Sequence, residues 1–141
     1  MIWIWTLLAC VDSVDDTAEL SVTVETTPES TCPFTLAVIP DTQYYTLSNP
    51  GVLDEVMTWI LEHREERNIA FVLQEGDVTH ENTTAEWESA DAAFARLDGV
   101  VPYTVCVGNH DMDEDGGTAR FNDWFGLERL SASPTWGGSC R

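Results

Sequence analysis

The feature that most constrains the fold of this chain is an alternation between short β-prone runs and longer segments with helical periodicity. Three apolar runs, residues 34–39, 69–73 and 101–107, predict buried strands. Between them lie residues 49–68 and 83–97, whose apolar positions recur every three or four residues. This strand–helix–strand–helix–strand order favours right-handed crossovers, and it therefore predicts an α/β fold with a parallel sheet flanked by helices.

Local signals indicate where the two main helices begin. Asn49 is a candidate N-cap of the first helix, and Pro50 suits its first turn. Thr83 and Glu86 have the spacing of a capping box at the start of the second helix. A weaker helix is predicted over residues 118–125, and no regular structure is predicted after it.

Each predicted strand is followed directly by a cluster of polar residues. The clusters are Pro40-Asp41-Thr42-Gln43, Glu75-Gly76-Asp77 and Gly108-Asn109-His110-Asp111. Ligands of open parallel sheets gather at the carboxyl ends of the strands, so we expect the three clusters at one sheet edge. Carboxylates that converge on one point repel each other unless a cation neutralises them. The pattern therefore predicts a dinuclear metal site.

These three clusters resemble the first three signature blocks of the calcineurin-like metallophosphoesterases. The blocks are Asp41-x-Gln43, Gly76-Asp77 and Gly108-Asn109-His110-Asp111, and the resemblance extends from residue 34 to about residue 126. It implies the parallel-strand half of that family's β-sandwich, flanked by helices. It also implies hydrolysis of phosphate mono- or diesters.

The resemblance implies two divalent metal ions, manganese, iron or zinc, held by Asp41, Asp77 and Asn109. Gln43 stands where the family usually has histidine. An amide oxygen is a weaker donor than an imidazole, so for Gln43 a ligand role and a hydrogen-bonding role beside the ligands both remain open.

The same resemblance assigns proton transfer to the third block. His110 is expected to protonate the leaving group, and Asp111 is expected to orient His110 through a hydrogen bond. His80 lies three residues beyond Asp77. We interpret it as a loop residue, with contact to the substrate as the alternative.

The family's later histidine blocks have no counterpart here, since no histidine follows His110. The sequence therefore resembles the amino-terminal half of the domain, residues 34–141, and a carboxyl-terminal half is an expected partner. We expect residues 1–141 alone to be inactive or nearly so. The alternative is a non-catalytic exported domain, a pseudo-phosphatase that keeps the fold with an incomplete metal site.

The charge excludes some function classes. Six Lys and Arg residues against 25 Asp and Glu residues give a net charge of −19, so nucleic-acid binding is not expected. An aspartyl-phosphate phosphotransferase would need a second Asp where Gln43 stands. A P-loop is excluded because the sequence contains no lysine.

The start of the chain suggests export. Residues 1–10 are apolar and end in Leu7-Leu8-Ala9-Cys10, which resembles the end of a lipoprotein signal peptide. No basic residue precedes the run, so a chance match is the alternative. Residues 11–33 have the composition of a flexible, disordered acidic linker. We therefore expect an exported protein, lipid-anchored to the cell envelope through Cys10.

The cysteines carry no metal-binding spacing, because none of the four forms a C-x-x-C pair. Cys106 lies within the third apolar run, and we expect it to be a small buried core residue. A bridge between Cys32 and Cys140 is conceivable, but the spacing does not support it.

Overall fold

Three parallel strands form the centre of the described part of the chain, which comprises residues 34–132 and the backbone of Thr6–Leu7 in a computed structural model. The strands are β1 (Thr6–Leu7), β2 (Thr35–Ile39), β3 (Ile69–Gln74) and β4 (Tyr103–Val105). The helices are α1 (Gln43–Ser48), α2 (Pro50–His63), α3 (Thr84–Phe94), α4 (Ala119–Phe125) and α5 (Leu127–Leu130). The predicted α/β fold, with a parallel sheet flanked by helices, is confirmed.

The register of the sheet brings the ends of its strands to one level. The strand order is β1-β2-β3-β4, and β1 pairs antiparallel with β2. In the parallel part, Ile39 pairs with Gln74, and Gln74 pairs with Val105. The segments that follow the three parallel strands therefore start side by side, as the sequence predicted.

The periodic positions of the helices supply much of the core. In α2 the buried residues are Leu53, Val56, Met57 and Ile60, at the predicted spacing of three and four. The largest fully buried side chains are Trp87 and Phe94 of α3 and Phe125 of α4. Burying one large apolar side chain contributes roughly 1.5–3 kcal/mol, so this layer is the main source of stability.

The two predicted helix starts differ in their capping. The capping box of α3 is present, because Thr83 Oγ1 accepts a hydrogen bond from Glu86 N while the Glu86 carboxylate accepts one from Thr83 N. Asn49 does precede α2 with Pro50 in the first turn, but its side chain makes no capping hydrogen bond. Pro50 is therefore the residue that marks the start of α2.

Several local expectations were wrong. Helix α2 ends at His63, and a turn through Asn68, whose φ is 49°, leads into β3. The short helices α1 and α5 were not predicted. Cys106 is exposed, not buried, because it follows the last residue of β4, the edge strand of the described sheet.

The expectations for the two ends of the chain lie largely outside the described residues. They concern the anchor segment at Cys10, the linker over residues 11–33, the bridge between Cys32 and Cys140, and residues 133–141. Within the part that the structure describes, no helix combines the length and the apolar character needed to cross a membrane.

Candidate functional site

The loops that follow β2, β3 and β4 are hydrogen-bonded to one another. Thr42 N donates to the main-chain oxygen of Asp77 at 3.1 Å, which joins the first loop to the second. His110 N donates to Asp77 Oδ1 at 2.9 Å, which joins the third loop to the second. The structure therefore brings the three predicted sequence blocks together, with Asp77 between the other two.

Two glycines make this approach possible. A Cβ atom on Gly108 would lie 2.1 Å from both the main-chain nitrogen and Oδ1 of Asp77. Gly76 has a φ of 102°, and a Cβ there would lie 3.2 Å from Gly108 Cα. Asp77 itself has a φ of 50°, a left-handed conformation that aspartate tolerates better than most residues. Because the two glycines let their loops pack this closely, the backbone of Asp77 is held in place, and it sets the direction of the Asp77 carboxylate.

Asp111 holds the second and third loops together from inside the protein. Its carboxylate is fully buried and accepts four hydrogen bonds, at 2.8–3.0 Å. The donors are the main-chain nitrogens of Gly108, Val78 and Thr79 and the hydroxyl of Thr79. The structure does not have the expected hydrogen bond from the ring of His110 to Asp111.

The ring of His110 is held by His80 instead. Nδ1 of His110 lies 2.8 Å from the main-chain oxygen of His80. A carbonyl can only accept, so this contact assigns the proton to Nδ1 and leaves Nε2 for chemistry. The two imidazole rings are stacked, with centroids 4.8 Å apart and an interplanar angle of 18°.

Gln43 joins the first loop to this histidine pair. Its buried side chain donates from Nε2 to Asp41 Oδ2 at 2.5 Å, and its Oε1 lies 2.6 Å from Nδ1 of His80. The sequence left two roles open for Gln43. The contacts that the structure describes are those of a hydrogen-bonding residue beside the ligands.

The oxygen donors that remain are suited to hard divalent cations. Asp41 is exposed, and Asn109 is exposed and makes no side-chain hydrogen bond within the described residues. In the same part of the chain, Asp77 Oδ2 accepts no hydrogen bond. Of the expected ions, manganese fits two carboxylates and one amide oxygen best, because iron and zinc sites usually include imidazole or thiolate ligands as well. However, no three His, Cys, Asp or Glu side chains among the described residues gather closely enough to hold an ion.

A polar cleft of about 460 Å³ opens beside these loops. Asn109, His110 and His80 line one part of it. The remaining lining residues are Glu81, Asn82, Met112, Asp113, Glu114 and Arg120. A small polar ligand therefore has access to the face that carries Asn109 and His110.

The sequence predicted only one of the two roles of Glu86, the capping of α3. Besides capping α3, its buried carboxylate accepts hydrogen bonds from the main-chain nitrogens of His80 and Glu81. Burial alone would raise the pKa of Glu86, but the hydrogen bonds from Thr83, His80 and Glu81 outweigh it and the pKa is lowered. Glu86 stays ionised at neutral pH and fixes the backbone of His80. A glutamate six residues after a histidine gave no signal in the sequence.

Comparison with known proteins decides the family. The model of the calcineurin-like phosphoesterases matches residues 34–138. The chain belongs to this family. It is also 32% identical to the uncharacterized protein YvnB of Bacillus subtilis (strain 168), over 96% of this chain and 11% of YvnB. The chain thus spans about a tenth of the length of that curated relative, and no solved structure matches it significantly.

Proposed function

We propose that the protein of which this phosphoesterase domain is a part hydrolyses phosphate mono- or diesters with two divalent metal ions of manganese, iron or zinc. Membership of the family supports metal-dependent phosphoester hydrolysis as the class of reaction. The observation that carries the proposal for this chain is the convergence of Asp77 with the loop of His110, through the hydrogen bond from His110 N to Asp77 Oδ1.

In this proposal Asp41, Asp77 and Asn109 hold the metal ions. When bound, such ions supply Lewis-acid stabilisation of the phosphoryl oxygens and activate water. Gln43 keeps the Asp41 carboxylate in place through its side-chain amide. Asp111 acts indirectly, because it fixes the backbone that presents Asn109 and His110.

His110 is the proposed general acid. Its Nδ1–H is engaged by the main-chain oxygen of His80, so Nε2 is the atom that would deliver a proton to the leaving oxygen. The ring would act as the imidazolium, give up the Nε2 proton and remain as the neutral imidazole with its proton on Nδ1. His110 also lines the cleft, where a phosphate ester could reach it. General acid catalysis of this kind contributes about 10²–10⁴-fold to the rate.

The test uses the full-length gene product, with metal content measured by elemental analysis and turnover measured on alkyl and nitrophenyl phosphates. Asp77→Ala should lose metal and activity together. His110→Ala should keep the metal and lose about 10²–10⁴-fold in turnover, least for nitrophenyl phosphate, whose leaving group needs no proton. Equal losses on both substrates would contradict the role of His110.

A second candidate is a non-catalytic domain that keeps the fold. It is favoured by the absence, among the described residues, of three metal-binding side chains in one place. A full-length protein that binds less than one equivalent of manganese, iron or zinc would support it. Two equivalents together with phosphatase activity would exclude it.

We also propose that the protein is exported and anchored to the cell envelope by a lipid on Cys10. The support is the Leu7-Leu8-Ala9-Cys10 sequence followed by an acidic stretch without basic residues. Cys10→Ser should move the protein from the membrane fraction to the soluble fraction. An unchanged distribution would contradict the anchor.

A further inference from the structure

We propose that His80 is the positioning residue of His110, a role that neither the family resemblance nor the capping pattern assigns to it. The inference rests on the proposed function, because it concerns the residue that would protonate the leaving group. It is carried by four contacts of the His80 backbone and ring, which together connect the first, second and third loops.

The first step is the arrangement of protons. The ionised Asp41 carboxylate can only accept hydrogen bonds, so the nitrogen of the Gln43 amide faces Asp41 and its oxygen faces His80. The Nδ1 atom of His80 must then donate. By the same reasoning Nδ1 of His110 donates to the oxygen of His80, and the four residues have one consistent set of donors and acceptors.

The second step is the restraint on the two rings. The stack between His80 and His110 is nearly parallel, while Tyr44 lies 4.8 Å from His80 at an interplanar angle of 31°. The His80 ring is thus restrained by its two aromatic neighbours and by the hydrogen bond from Nδ1 to Gln43 Oε1, and it can act as a fixed support for His110.

The third step is that Asp111 is unavailable for this role. Its two oxygens accept four hydrogen bonds from the loops. His80 therefore does for the His110 ring what a carboxylate does for many catalytic histidines, fixing both the tautomer and the orientation. Gln43 extends the support to Asp41, so the first loop also contributes to it.

The kinetic test compares variants of the full-length protein. His80→Ala should reduce kcat for alkyl phosphates by about 10–100-fold, a misplacement effect, and reduce kcat for nitrophenyl phosphate only a few-fold. His80→Phe keeps an aromatic ring for stacking but loses the Gln43 bond, so its loss should be smaller. Metal content should stay unchanged in both variants.

His63→Ala is the matched control. His63 is also a stacked histidine, with its ring 4.6 Å from that of Trp59 and its Nδ1 2.8 Å from the Trp59 oxygen, but it lies on α2 away from the loops. It should leave kcat unchanged for both substrates. The double variant His80→Ala/His110→Ala should be no slower than His110→Ala, because His80 acts through His110.

A second readout does not depend on activity. Long-range ¹H–¹⁵N spectra of the metal-free protein should show His110 with a proton on Nδ1, held by the main-chain oxygen of His80. That oxygen remains in His80→Ala, so the substitution should loosen the His110 ring without removing the acceptor, and the Nδ1 proton should exchange with solvent faster than in the wild type. An active wild type in which His80→Ala behaves like His63→Ala both in kcat and in this exchange rate overturns this role alone. An inactive wild type overturns the proposed function and this role with it.

Discussion

Two groups of interacting side chains in the described part of this molecule differ in how many of their polar atoms lack a hydrogen-bond partner. One is the candidate site at the ends of β2, β3 and β4. The other, here called the Arg129 cluster, consists of Asp91, Asp98, Tyr103, Phe125 and Arg129. Arg129 bonds to Asp91 and, at 2.6 Å, to the Tyr103 hydroxyl, and its guanidinium carbon lies 4.7 Å from the centre of the Phe125 ring.

The Arg129 cluster is internally satisfied. Tyr103 donates to Asp98 at 2.7 Å and accepts from Arg129, while a second Arg129 nitrogen lies 3.5 Å from Asp98. Burial, and then the hydrogen bond to Asp98, raise the pKa of Tyr103 despite the opposing charge of Arg129, so its hydroxyl remains protonated. All three guanidinium nitrogens of Arg129, both oxygens of Asp98 and the Tyr103 hydroxyl have partners, and the cluster fastens α5 to β4 and α3.

In the candidate site, by contrast, some polar atoms have hydrogen-bond partners and others have none in the part of the chain that the structure describes. Its supporting residues, Asp111 and Glu86, are saturated with hydrogen bonds. Asp77 Oδ2 and the side chain of Asn109 make no hydrogen bond within the described residues. Asn109 lines the cleft, so its side chain is open to a ligand there, whereas the carboxylates of Asp111 and Glu86 are used to hold structure. This difference separates the two groups better than charge does.

The largest effect should come from Asp111→Ala, which removes the acceptor of four hydrogen bonds between the loops. We expect a loss of about 3–5 kcal/mol in the free energy of unfolding, since several buried donors lose their partner. Metal binding should be lost as well. Denaturant unfolding with elemental analysis checks both, and Glu114→Ala, at an exposed site, should change stability by less than about 0.5 kcal/mol. A stable Asp111→Ala variant that still binds metal would contradict the supporting role.

A smaller effect, on stability alone, is expected from Arg129→Met. Its ion pairs involve carboxylates that are 43% and 50% exposed, so solvent screening reduces their contribution. The variant also loses the hydrogen bond to Tyr103 and the contacts with the aromatic rings. Their loss should cost about 1–2 kcal/mol. Arg67→Met, which removes a charge placed over Trp59 at an exposed position, should cost about 0.5 kcal/mol. Reduced metal binding in Arg129→Met would show that the cluster is not purely structural.

The smallest effect among the three interior positions, about 1 kcal/mol at neutral pH, is expected from Glu86→Gln. Because the pKa of Glu86 is lowered in the folded state, ionisation stabilises the fold at pH values above the carboxyl's unfolded pKa. That contribution disappears as the pH falls through the lowered pKa. The stability difference between wild type and variant should therefore shrink on acidification, which thermal unfolding from pH 7 to pH 3 would show. A difference that is constant with pH would contradict an ionised Glu86.

Some parts of the fold could be predicted because their signal is local. The spacing of Leu53, Val56 and Ile60 identifies the buried face of α2, and Thr83 with Glu86 identifies the start of α3. Cys106 was misjudged because an apolar run does not reveal which of its residues lie beyond the strand at a sheet edge. Helix α5 spans four residues, too few to show a helical period.

The sequence by itself determined the order of strands and helices, and so which polar clusters follow the parallel strands, because this order is set by local apolar patterns. It thereby identified Asp41, Asp77, Asn109 and His110 as neighbours, a placement in which the structure agrees through the hydrogen bonds of Asp77. The tertiary structure decided which atoms face each other. Asp111 turned to the buried backbone, and His80 became the support of His110. The physical reason is that strand order fixes the level of a residue in the sheet, whereas hydrogen-bond partners depend on side-chain directions that are set only when loops distant in sequence pack together.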